Sequence, residues 1–383
     1  MLELLAPAGS MEALRAAVQN GADAVYLGCG AFNARQSAKN FTPQTLVGAI
    51  KYCHVRGVQV HLTLNTLVSD REMTEAAELI RYAAQNNIDA FIVQDLGVVQ
   101  LCRQIAPGVP IHGSTQMTVH SLPGVLLCAA MGIKRVVLSR ELSREEIRYI
   151  CANSPIEIEV FVHGALCMCY SGQCYMSALI GRRSGNRGLC AQPCRLQYSL
   201  GGRMDDHPLS LKDNCLVDQI RRLEEAGAAS LKIEGRMKSS YYAAVVTNAY
   251  RHAIDAAVAG APLDPLWVEE VNKVSHRPYT TGFYFGDPGQ YYHDATYFTD
   301  ADVAAVVETC DADGNAVLCQ RNKFYRGDEL ELLTTDAAPV KFTVEHMYNS
   351  EGEEIDDTRH PLMAIHMRLP RYAERYSIVR KCR

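Results

Sequence analysis

Between Phe161 and Met204 the chain reads FVHGALCMCYSGQCYMSALIGRRSGNRGLCAQPCRLQYSLGGRM, which holds five cysteines and no Asp or Glu. Four of them, Cys167, Cys174, Cys190 and Cys194, are spaced Cys-x6-Cys and Cys-x3-Cys. Thiolates are soft donors that suit iron-sulfur clusters or zinc, and four complete a cuboidal or tetrahedral set. The spacing departs from the paired Cys-x2-Cys of most structural zinc sites, so it predicts a [4Fe-4S] cluster with zinc as the alternative metal. Cys169 is too close to Cys167 for both to bind one metal comfortably and is left out of the set. Cys215 and Cys29 could reach the same region as extra thiols, but packing explains them as well. Cys53, Cys102, Cys128, Cys151, Cys310 and Cys319 fall in helical or strand patterns and read as small hydrophobes.

The same stretch carries Arg182, Arg183, Arg187, Arg195 and Arg203, a local positive charge in a chain whose formal net charge is -5. Arginine offers planar, bidentate geometry to carboxylate or phosphate, so a dicarboxylate or an RNA backbone suits this segment. The acidic balance argues against a protein that coats nucleic acid without specificity. Neither His-Glu-x-x-His nor Gly-x-Ser-x-Gly occurs, which removes two common hydrolase signatures.

Something must bring these residues together. The 383 residues, 48% hydrophobic and 21% charged, can bury a large core. Up to about residue 235, short apolar segments alternate with stretches of helical period, the pattern of repeated βα units. Eight strands are predicted, near Glu3 to Ala6, Ala24 to Leu27, Val58 to Leu64, Ala90 to Val93, Pro110 to Gly113, Arg135 to Leu138, Ile156 to Phe161 and Ser230 to Ile233. Helices are predicted at Met11 to Asn20, Pro43 to Arg56, Arg71 to Asn86 and Arg144 to Cys151, with Ser10, Thr42, Asp70 and Ser143 as N-caps. The count favours an α/β fold, a (β/α)8 TIM-like barrel over residues 1–259 with the cysteine segment at 163–195. A connector over 260–296 and a small C-terminal antiparallel β-barrel over 297–383 follow.

In such barrels the chemistry sits at the C-terminal strand ends. Position there nominates His163 and Glu234 for proton handling, Arg140, Arg187 and Arg236 for anion binding, and Asn65 and Gln116 as further substrate-binding groups. The start of the chain lacks a basic n-region and no apolar run is long enough to span a bilayer, so a cytoplasmic protein without membrane contact is expected.

Leu5-Ala6-Pro7-Ala8-Gly9-Ser10, Gly21-Ala22-Asp23-Ala24-Val25-Tyr26-Leu27-Gly28, Glu159 through Cys167, Ser171-Gly172-Gln173-Cys174 and Lys232-Ile233-Glu234-Gly235-Arg236 together resemble the collagenase-like peptidase family. The resemblance covers nearly the whole chain. It implies an iron-sulfur protein for oxygen-independent hydroxylation, of transfer RNA wobble uridine, ribosomal RNA cytidine or a ubiquinone precursor, with prephenate implicated as oxygen donor in the RNA reactions. It places the cluster ligands on Cys167, Cys174, Cys190 and Cys194. Gln320-Arg321-Asn322-Lys323-Phe324 with Gly327-Asp328 resembles the subgroup linked to 5-hydroxyuridine in tRNA. An electron-donor protein is an implied partner. The alternatives are a peptidase, from which the family takes its name, and a non-catalytic RNA-binding module with a structural metal.

Overall fold

The computed structural model describes residues 2–199, 201–202, 207–335 and 337–383; Arg203 lies outside the described residues. Ten strands form the first sheet: β1 (Glu3–Pro7), β2 (Ala24–Leu27), β3 (Gln59–Leu64), β4 (Ala90–Val93), β5 (Ile111–Gly113), β6 (Arg135–Val137), β7 (Glu157–Ala165), β8 (Asp213–Cys215), β9 (Ser230–Ile233) and β10 (Tyr279–Thr280). Strands β1 to β7 and β9 pair in parallel, and β9 bonds both β1 and β7, which closes an eight-stranded barrel. These strands are buried on both faces, which is why they read as short apolar runs without alternation. The short strand β8 runs antiparallel to the end of β7, and β10 pairs with β8.

Helices α1 (Met11–Gln19), α2 (Pro43–His54), α3 (Met73–Gln85), α4 (Leu96–Ile105), α5 (Leu122–Ala130) and α6 (Arg144–Asn153) follow the first six strands. Local chemistry fixes their starts. Ser10 caps α1, Thr42 and Thr45 form a capping box at α2 with Pro43 in the first turn, and Ser143 with Glu146 does the same for α6. The expected cap at Asp70 is corrected to Ser69. Glu72 Oε2 accepts from the Ser69 backbone and hydroxyl at 2.9 and 2.6 Å, so a 3-10 turn at Asp70–Glu72 precedes α3. The cysteine segment contains α7 (Met176–Gly181), and α8 (Ile220–Glu225), α9 (Ser240–Val258) and α10 (Pro265–Glu270) complete the set.

The C-terminal unit is a curled seven-stranded antiparallel sheet, a half-barrel, built from β11 (Ala301–Cys310), β12 (Asn315–Gln320), β13 (Glu329–Leu332), β14 (Val340–Thr343), β15 (Met347–Tyr348), β16 (Ala364–Arg368) and β17 (Ile378–Cys382). Their order is β14-β13-β17-β11-β12-β16-β15. It encloses its own core around Phe324, Leu318 and Ile365. Arg380, fully buried, ties it to the barrel unit through Glu270 at 2.7 Å on α10, while bonding Glu331 of its own sheet at 2.7 Å. No helix among the described residues is long and apolar enough to cross a membrane.

Candidate active site

A cavity of about 440 Å³ opens at the C-terminal end of the barrel, a size suited to a small organic ligand. Its floor is the inward row of the strands. Phe161 of β7 and Lys232 of β9 are register partners there, with Thr63 of β3 beside them. Its walls come from the loops after the strands, with Arg35, Asn65, Gln116, Arg140, Glu234 and Arg236 all facing in. The cysteine segment forms one side, and Cys167, Cys174, Cys190 and Cys194 all line the cavity.

Six cationic side chains, Arg35, Arg140, Arg195, Lys232, Arg236 and Lys238, share this lining with one carboxylate, Glu234. Glu234 Oε2 lies 3.0 Å from Arg35 and 3.5 Å from Arg140. Burial opposes its ionisation, but Arg35, Arg140, Arg236 and Lys232 outweigh that and hold its pKa below the usual carboxylate value. It is therefore a fixed anion at neutral pH and not a proton donor. Arg140 is pinned by three contacts: Nη1 donates to the Ala165 carbonyl at 2.9 Å, Nη2 faces Glu234, and its plane lies 3.9 Å from the centre of the Phe161 ring. Arg236 is 2% exposed and donates to Thr63 Oγ1 at 2.9 Å and to Asn33 and Asn40 at 2.7 and 2.5 Å. Burial, outweighing the pull of Glu234, lowers its pKa to about 10. Asn65 accepts from the Ala34 backbone at 3.0 Å, and Gln116 keeps a buried Oε1 without a hydrogen-bond partner among the described residues.

The cysteine segment is held onto the barrel by contacts made outside the cavity. Arg187 pairs with Glu72 and donates to the Leu67 carbonyl, and Asn186 accepts from the Leu67 backbone at 3.2 Å. Gly188 has φ +76°, and a Cβ there would stand 2.3 Å from the Asn33 carbonyl, so only glycine allows this approach. All four cavity thiols are unpaired by disulfides. Among the described residues no three His, Cys, Asp or Glu converge on a single point suited to one metal ion. Tetrahedral zinc draws its thiolates to about 2.3 Å from one ion, and a cuboidal cluster gives each thiolate its own iron around a larger body. Four soft thiol donors on one cavity wall, with cations nearby, suit a cluster of this kind. Cys169, Cys215 and Cys29 do not line the cavity; burial raises the thiol pKa of Cys215 to about 12 and of Cys29 to about 11.

Two expected site residues stand elsewhere. His163 was expected in the loop after the seventh strand, but β7 continues to Ala165 with a bulge between Phe161 and His163. The irregularity flips the alternation, so Phe161 faces the cavity and His163 packs outward among Tyr242, Tyr250 and Tyr279. Burial lowers its pKa to about 3, so it stays neutral, and among the described residues its ring bonds only the Tyr250 hydroxyl, at 3.3 Å. This gives it a packing role in place of proton handling. Arg187, expected to bind an anion, is neutralised by Glu72 and does not line the cavity. Sequence reasoning missed Arg35, Lys232, Lys238 and Tyr297. Lys232 carried a usable signal, a lone cation inside an apolar strand; Arg35 sits in an irregular loop and carried none.

The model of peptidase family U32 matches residues 9–294, and that of the peptidase family U32 C-terminal domain matches residues 299–380. The chain is 35% identical to tRNA hydroxylation protein P1 of Bacillus subtilis (strain 168), covering 99% of this chain and 94% of that protein. It is 37% identical to the 23S rRNA 5-hydroxycytidine C2501 synthase of Escherichia coli (strain K12), over 80% of this chain and 49% of that protein. A collagenase of Porphyromonas gingivalis (strain ATCC BAA-308 / W83) is 34% identical over 74% of this chain and 73% of its own length. With a cysteine-walled cavity at the mouth of a closed barrel, a half-barrel after it in the chain, and both family models matched in order, the chain belongs to peptidase family U32.

Proposed function

We propose that this protein is an RNA-modifying enzyme that hydroxylates a pyrimidine, most specifically uridine at the wobble position of tRNA, with prephenate or a similar dicarboxylate as oxygen donor. The observation that carries the reading is that four thiols and an excess of fixed cations share the wall of one cavity. Cys167, Cys174, Cys190 and Cys194 would hold a [4Fe-4S] cluster, which when bound supplies electron transfer. An electron-donor protein is then the partner that replenishes it.

The chain's own residues supply binding and orientation. Arg140 and Arg35 are held apart by Glu234 between them, so each presents guanidinium N–H groups in a fixed direction and no reorganisation is needed when an anion arrives. Lys232 adds a point charge at the floor, anchored 2.7 Å from Glu159. Arg236, Asn65 and Gln116 line the same space, and the unpartnered Gln116 Oε1 can accept from a ligand N–H or O–H. Transfer RNA is favoured over ribosomal RNA as substrate because the chain matches nearly the full length of the tRNA relative and half of the rRNA one.

The peptidase reading draws on the collagenase relative. Among the described residues no histidine lines the cavity and His163 faces away from it, so the lining itself offers its thiols no imidazole base. Mass spectrometry of tRNA nucleosides from a deletion strain, complemented with the wild-type gene or with Cys174→Ala, tests the proposal. The hydroxylated uridine should vanish on deletion and return only with the wild-type gene, and anaerobically purified protein should contain iron and sulfide that Cys174→Ala lacks. A deletion strain that keeps its full set of hydroxylated nucleosides would end the reading.

A further inference from the structure

The outer face of the cysteine segment exposes apolar side chains next to arginines. Tyr175, Leu179 and Ile180 on and beside α7 are 75%, 81% and 59% exposed, a density of free apolar area that marks an interaction site. Arg182 and Arg183 follow at once, both exposed and without an acidic partner among the described residues. The helix is short but anchored. Ser177 Oγ accepts from the Ala191 backbone at 2.9 Å, and Arg183 Nε donates to the Leu189 carbonyl at 3.0 Å, which fastens α7 to the stretch carrying Cys190 and Cys194. Tyr175 is the neighbour of Cys174, so the platform begins where the cavity wall ends.

Charge says what lands there. Residues 163–199 hold four arginines and no acid, whereas residues 297–383 hold sixteen Asp and Glu against eleven Lys and Arg. A polyanion is drawn to the first and repelled by the second, so the half-barrel is not its platform. A cavity of about 440 Å³ is large enough for a base-sized group, and a base enters such a site only when it is unpaired. The ring of Tyr175 has no aromatic or cationic neighbour among the described residues, leaving a face free for stacking.

Resting on the RNA reading above, we propose that α7 with Arg182 and Arg183 is the landing platform for an unpaired RNA strand. Tyr175 stacks on a base next to the target, and the two arginines hold its phosphates while the target base turns into the cavity. An acidic redox protein is the competing occupant, disfavoured because it needs no free aromatic face at the cavity edge.

The test is fluorescence anisotropy of the full-length holoprotein with a labelled RNA stem-loop bearing unpaired uridines, and with a fully paired duplex of the same composition, across a salt series. Stem-loop binding should exceed duplex binding, Tyr175→Ala should weaken it about tenfold, and Tyr175→Phe should restore it. Arg182→Ala with Arg183→Ala should flatten the slope of log K against log salt by about 1.4. Equal binding of duplex and stem-loop, or variants that bind as wild type, would overturn the platform. So would variants that keep RNA binding and lose only the ability to accept electrons from a reductant protein. Nucleoside analysis separates this from failure of the parent reading: wild-type and Tyr175→Ala strains that hydroxylate equally sink the platform alone.

Discussion

The two ends of the barrel interior spend charge differently. At the N-terminal end Arg135 meets Glu3 at 2.5 Å, Glu157 at 2.7 Å and Glu159 at 3.5 Å, and Lys232 meets Glu159 at 2.7 Å. Three acids answer two bases, and Ser230 donates to Glu3 at 2.7 Å to complete the set. At the C-terminal end Arg35, Arg140, Arg236, Arg195 and Lys238 face one carboxylate across open space. Buried charges persist when they are paired, and a surplus of one sign in a cavity is stable only while solvent or a ligand balances it. The lower network is therefore a structural element and the upper surplus a binding one. Lys232 belongs to both, with its ammonium on Glu159 and its surface in the cavity floor.

Removing one lower partner should have the largest effect. Glu159→Ala leaves Arg135 and Lys232 short of their shared anion, and loss of a buried partner costs about 3–5 kcal/mol. Chemical denaturation of the barrel would show it; a variant as stable as wild type would erase the distinction between the two ends. At the upper end Arg140→Ala should leave stability within about 1 kcal/mol, because Glu234 keeps Arg35. Hydroxylated nucleoside formation should fall about a hundredfold, the order expected when one preorganised donor is removed. A variant that loses stability and keeps activity would reverse the assignment.

Acid supplies a third probe. His61 packs edge-on to His112 with ring centres 4.9 Å apart, and burial, against the pull of Glu159, lowers the His61 pKa to about 4. The unfolded chain binds a proton that the fold refuses, so stability from this group is complete above about 6.5 and drains as pH falls toward 4. Its steepest contribution is about 1.4 kcal/mol per pH unit. His61→Leu should flatten the stability curve across that window; an unchanged slope would mean that the imidazole is solvated.

Much of this contrast was legible before any coordinates. Strands such as Ala24–Leu27 and Ala90–Val93 announce themselves because a parallel barrel buries both of their faces, and the cysteine spacing isolates four donors that do line one cavity. What was hidden depended on geometry that leaves no compositional trace. One bulge decides that Phe161 and not His163 reaches the cavity, and apolar neighbours read alike on either side of it. Gly164, with φ +103°, lets the end of β7 pass the Glu234 carbonyl, from which a Cβ would stand only 2.5 Å; the motif showed the glycine but not what it was clearing. Arg187 looked like a ligand-binding group because its partner Glu72 stands 115 positions away.

That pair gives the smallest and most discriminating test, since it sits beside the upper rim yet is balanced like the lower network. Arg187 donates to both Glu72 oxygens, and this hydrogen bonding, with that of Ser69, lowers the Glu72 pKa to about 2. A carboxylate depressed in the folded state contributes above its unfolded value near 4.5, and the contribution is lost as pH falls toward 2. Both side chains are partly exposed, at 36% and 28%, so a double-mutant cycle with Arg187→Ala and Glu72→Ala should give a coupling below about 1 kcal/mol. If rim arginines act by facing the cavity, Arg187→Ala should also leave the KM for the proposed anionic oxygen donor unchanged while Arg140→Ala raises it. An equal rise in both would mean that proximity to the rim, and not a place in the cavity lining, makes an arginine functional here.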